Sequence, residues 1–97
     1  MEKIREGFWS EANIPVPNAL PWEGQAEFLR ALDAVEDAAT VVSYRGWSNC
    51  RVCCRENGSR EFCTGRAVWP SGFRHYVEAH NVRPSKEFQD YIETLTK

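Results

Sequence analysis

Long apolar runs are missing from this 97-residue chain, as are internal repeats and low-complexity segments. No stretch approaches the roughly 20 apolar residues that a membrane-spanning helix needs. The opening residues, Met1-Glu2-Lys3-Ile4-Arg5-Glu6-Gly7, lack the apolar core of a signal peptide. These absences predict a cytoplasmic chain that makes no use of a membrane. Thiols stay reduced in that compartment, so its cysteines point to metal or redox chemistry and not to disulfide staples. Histidine is scarce as well: His75 and His80 are the only two.

What is present fits one small globular domain. At 97 residues there is room for a single domain, 1–97, with a modest core. Hydrophobic content is 42%, too high for a disordered chain. Four tryptophans, Trp9, Trp22, Trp47 and Trp69, offer large rings for a core or a binding surface. Charge is unevenly placed. Residues 1–44 hold three Lys/Arg against eight Asp/Glu, and residues 87–97 hold one against three. Residues 45–86 hold eight (Arg45, Arg51, Arg55, Arg60, Arg66, Arg74, Arg83, Lys86) against three. The middle therefore carries +5 and the flanks −7. Such a basic segment suits either the chain's own acidic flanks or an anionic partner.

Local patterns predict an α+β order. Pro15, Pro17 and Pro21 keep residues 1–21 extended or irregular. Residues 22–37 read as a helix, with Phe28, Leu29, Leu32 and Val35 on one stripe. Thr40 to Arg45 reads as a strand. Asn57-Gly58-Ser59 is a turn signal, followed by a hairpin of Arg60–Cys63 and Arg66–Trp69. Ser71 suits the cap of a short helix running from Gly72 to His80, and Asn81 its left-handed end. A last helix spans 84–95, with Phe88, Tyr91, Ile92 and Leu95 at helical spacing. The expected fold is an N-terminal helix, a short antiparallel sheet, a treble-clef-like zinc site within 40–80 and a C-terminal helix.

Cys50 and Cys53 form a Cys-x2-Cys pair, and His75 and His80 a His-x4-His pair. Two soft thiolates and two imidazoles in a tetrahedral set suit one Zn2+ ion. The two histidines lie about 140° apart on an ideal helix, so its last turn must distort for both to reach one ion. Cys54 and Cys63 are competing ligands. A thioredoxin-like role for the pair is disfavoured, because no helix begins at Cys50 to lower its pKa. Haem attachment fails, because Cys54 stands where Cys-x2-Cys-His requires histidine. Twenty-one residues separate Cys53 from His75, longer than in the common DNA-binding finger. The reversed order of its motifs and the missing glutamate exclude the zinc deaminase pattern. Four ready ligands favour a closed, structural ion over the open position of a zinc hydrolase.

Three stretches of the sequence, Cys50-Arg51-Val52-Cys53, Asn57-Gly58-Ser59-Arg60-Glu61 and Trp69 to Pro84, bear a likeness that upstream Pro21-Trp22-Glu23-Gly24 extends. Together they resemble a group of small uncharacterised bacterial and phage zinc-site proteins. In that pattern Cys-Arg-x-Cys-Gly-x-x-Asn-Gly precedes Trp-Pro-x-Gly-x-x-His-Tyr-x-x-x-His-x-Val-Arg. This chain departs from it at Cys54, where the pattern has glycine, the residue that admits positive φ after a knuckle. The resemblance implies the metal site and brings no activity with it. Two functions are expected from the residues. One is a zinc-stabilised protein-interaction module, an inhibitor or adaptor of phage–host type, meeting another protein through exposed aromatics and the acidic flank. The alternative is a nucleic-acid module in which Arg51, Arg55, Arg60, Arg66 and Arg74 contact phosphates while Trp47 or Trp69 stacks on bases.

Overall fold

A computed structural model describes residues 3–9 and 15–96, and the side chains of 44–48 and 57 lie outside that description. The elements run β1 (Ile4–Arg5), α1 (Gln25–Ala38), β2 (Thr40–Asn49), β3 (Glu56–Cys63), β4 (Ala67–Pro70), α2 (Phe73–His80) and α3 (Lys86–Leu95). This is the expected α+β arrangement. The sheet order is β1-β4-β3-β2. Strands β2, β3 and β4 pair antiparallel as expected, and β1 adds a short parallel edge through Ile4↔Ala67 and Arg5↔Val68. Sequence pattern does not reveal β1, because two residues carry no periodicity.

The core forms where the helices meet the sheet. Ile4, Ala67 and Trp69 from the strands meet Phe28, Leu32, Phe73, Val77, Phe88 and Ile92 from the helices. Phe88 lies edge-on to both Trp69 and Phe73, with ring centroids 5.3 Å away in each case. Aromatic rings prefer edge-to-face or offset-stacked contacts over a direct face-to-face sandwich. Buried Gln25, Phe28, Ala31, Leu32 and Val35 form the inner stripe of α1, while Leu29 packs at its margin.

Four local expectations are corrected. Helix α1 begins at Gln25, not Trp22, because Gly24 takes φ 87° and the Gln25 N–H closes a turn onto the Trp22 carbonyl at 3.1 Å. Asn57-Gly58-Ser59 is not a turn but part of β3. Gly58 has φ 121°, and the β2–β3 register shifts nearby. The glycine serves a bulge, which needs the same positive φ that a turn would. Ser71 does not cap α2; Gly72 is the N-cap residue, and Ser71 Oγ accepts from the Arg60 N–H across the hairpin. The final helix starts at Lys86, two residues later than expected, because Ser85 is its N-cap, with Ser85 Oγ accepting from the Phe88 N–H.

Candidate metal centre

The turn joining β2 to β3 is itself the cysteine knuckle. The Cys50 N–H donates to the Arg55 carbonyl at 2.8 Å, and the Cys54 N–H to the Cys50 carbonyl at 2.9 Å. The Val52 N–H points at Cys50 Sγ, 3.4 Å away. Cys54 completes the knuckle with φ 64°. This is the position where glycine was expected.

Helix α2 brings the histidines to the knuckle. Tyr76 ties the two parts together: its hydroxyl accepts from the Arg51 N–H at 2.7 Å, and its ring lies beside buried Cys50 and Val82. Trp9 meets that ring edge-on at 6.0 Å. The distortion required of α2 is present at its end. The Asn81 N–H reaches back five residues to the Tyr76 carbonyl, and Asn81 adopts φ 55°, ψ 33°. A wide, π-type closing turn of this kind carries His80 round towards His75. Their ring centroids are 5.1 Å apart.

Cys50, Cys53, His75 and His80 therefore form one group, each offering a ligand atom, with all four atoms within 4.8 Å of one another. Such a group can hold a metal ion. Cys53 Sγ lies 3.4 Å from His75 Nε2. Two ligands of a tetrahedral ion at usual Zn–S and Zn–N lengths sit about 3.6 Å apart. His80 Nε2 is buried and has no hydrogen-bond partner among the described residues. Orphaned buried polar atoms are rare, and a bond to a metal would satisfy this one. Burial, then the neighbouring His80, then Arg55 push the His75 pKa below the ordinary imidazole value. That keeps His75 in the neutral form a metal needs.

Cys54 and Cys63 stand outside the four-residue group. The proposed contact residues divide. Arg51, Arg55, Arg60 and Arg66 are exposed. Arg74 is held within the fold, by Asp33 at 2.6 Å and Glu78 at 2.9 Å. Trp69 is 0% exposed and donates its Nε1–H to Glu36 Oε2 at 2.8 Å, so the expectation that it stacks on bases is corrected. The side chain of Trp47 lies outside the described residues. Tyr76 was missed in the sequence; its signal was a tyrosine one place after a ligand histidine.

The fold and the four-residue group define a class, a small α+β domain with a Cys2His2 candidate metal centre. Compared with family models, curated proteins and solved structures, the chain matches none. No described helix is long and apolar enough to cross a membrane.

Proposed function

We infer that this chain is a small protein-interaction module, an inhibitor or adaptor, held together by one structural Zn2+ on Cys50, Cys53, His75 and His80. The observation that carries the zinc reading is the gathering of four soft and borderline donors within 4.8 Å. Hard cations prefer oxygen, and this donor set contains none. All four positions of a tetrahedral ion are supplied by protein, which disfavours a hydrolytic role. The bacterial and phage motif likeness implies the metal site and no activity, so it supports the ligand set alone. A protein partner is favoured over nucleic acid because Trp69 and Arg74 are committed to the fold.

Elemental analysis of the purified chain should give one zinc per molecule. Cys53→Ser or His75→Ala should release it and lower the melting temperature sharply, since removing a structural ligand forfeits much of the binding free energy. Unchanged zinc content in both variants refutes the ligand set. Four exposed arginines keep the nucleic-acid reading open to test: among the described residues, no ion pair holds Arg51, Arg55, Arg60 or Arg66. Binding to RNA or DNA with a steep negative salt slope would replace the protein-partner reading. No binding at low salt removes the alternative.

A further inference from the structure

The turn that ends α2 is covered by residues that the sequence places far from the metal ligands. Three consecutive carbonyls of this turn accept hydrogen bonds from the segment 18–22. The Asn18 N–H donates to the His80 carbonyl at 3.0 Å. Asn18 Nδ2 donates to the Asn81 carbonyl at 3.0 Å, and Trp22 Nε1 to the Val82 carbonyl at 3.3 Å. The contact is reciprocal, because Asn81 Nδ2 donates to the Asn18 carbonyl at 3.0 Å. Gln25, buried on α1, fixes the turn from its other side. Its Nε2 reaches both Asn81 Oδ1 and the Val77 carbonyl at 3.0 Å.

His80 is the ligand most dependent on this turn. It is the last residue of α2, and regular helix geometry would point it away from His75. Its approach to the other candidate ligands coincides with the wide closing turn, in which the Asn81 N–H bonds the Tyr76 carbonyl and Asn81 is left-handed. Left-handed backbone is costly for most residues and least so for glycine and asparagine. Glycine would satisfy the backbone alone. Asparagine also supplies the amide that Asn18 and Gln25 engage.

We propose that Asn18 and Asn81 form a clasp that positions His80 for metal binding, so that metal affinity and the docking of residues 18–22 rise and fall together. Neither asparagine touches the metal; both are positioning residues. The coupling follows from linkage, because a contact that favours the ligand-ready turn is favoured in return when the metal selects that turn. The inference rests on the zinc reading above.

The test measures zinc affinity by competition with a chromophoric chelator in the full chain, alongside amide exchange at Asn18. Asn18→Ala removes one arm of the clasp at a partly solvated site. Asn81→Gly keeps the left-handed backbone and removes the side-chain bonds. Each should weaken zinc binding about tenfold or more, the scale at which partners of ligands act, with stoichiometry unchanged. Zinc should also slow exchange of the Asn18 amide in the wild-type protein. A merely structural contact would lower the melting temperature and leave zinc affinity at the wild-type value in both variants, and that result overturns the proposal. If the wild-type chain takes up no zinc, the metal reading itself fails, a result visible before any variant is made.

Discussion

Among the described residues, Cys54 and Asn81 are the non-glycine residues with positive φ, and Cys54 is the one with no amide side chain to ease it. It holds φ 64° at the end of the knuckle, where a side chain costs about 1–2 kcal/mol relative to glycine. Its thiol lies outside the four-donor group. Cys54→Gly should therefore stabilise the folded chain. Greater freedom of glycine in the unfolded state returns about 0.4–1 kcal/mol of that gain. The net expectation is a gain of about 0–1.6 kcal/mol, a rise of up to several degrees in melting temperature at unchanged zinc stoichiometry. A fall in either quantity would show that the Cys54 side chain has a partner that strain alone does not reveal. The four residues of the candidate metal group were legible in the sequence because spacing alone marks Cys-x2-Cys and His-x4-His. Asn18 and Gln25 were not, because each acts across more than 50 residues of chain and has no local signature.

Between elements, the contact of α1 with β4 carries a pH dependence. Glu36 on α1 accepts the indole N–H of Trp69 on β4 at 2.8 Å. Burial raises its pKa from the ordinary carboxyl value to about 7, against the opposing pull of the Trp69 hydrogen bond. A carboxyl whose folded pKa is raised binds its proton more tightly when folded. Its stabilising contribution is complete below the unfolded value and is lost as pH rises through about 7. Glu36→Gln keeps an acceptor for Trp69 and cannot ionise. Melting temperatures of the two proteins should lie close together near pH 5, and the variant should melt a few degrees higher at pH 8. Every other titrating group is common to both proteins, so their difference isolates Glu36. Parallel curves across this range would show Glu36 to be solvated in the folded chain. Trp69 also shows where sequence reading of the elements stopped. Its strand was legible from β-branched and aromatic neighbours, and core packing was the first expectation for any of the four tryptophans, but which of them the core would claim was not legible. Whether a tryptophan faces core or solvent depends on what covers it, here Phe62 and Phe88. The bulge at Gly58 was hidden for a related reason, since turn and bulge make the same demand on glycine.

At the scale of the molecule, two apolar clusters divide the labour of holding the chain. The larger joins Phe28, Leu32, Trp69, Phe73, Val77, Phe88 and Ile92 and includes no candidate ligand. The smaller joins Cys50, Tyr76 and Val82, with Trp9 against them, and one of its members is a candidate ligand. Helix α2 contributes to both, Phe73 and Val77 inward and Tyr76 towards the knuckle. Zinc binding in small structural sites is worth on the order of 10 kcal/mol, comparable with the whole stability of a domain this size. Sequence alone suggests that metal loss would disorder all of residues 48–80. The two clusters predict a graded response instead. On chelation, amides of the knuckle, residues 50–55, and of the closing turn, residues 80–82, should lose exchange protection first. The amides around Phe88 and Ile92 in α3 should hold longest, because their side chains lie in the cluster that has no ligand. Near-ultraviolet dichroism should record the early step as a loss of the Trp9–Tyr76 contact. Hydrogen exchange measured through a chelator titration checks the order. Simultaneous loss across α3 and the knuckle would mean that the ion holds one cooperative unit and that the larger cluster cannot stand without it.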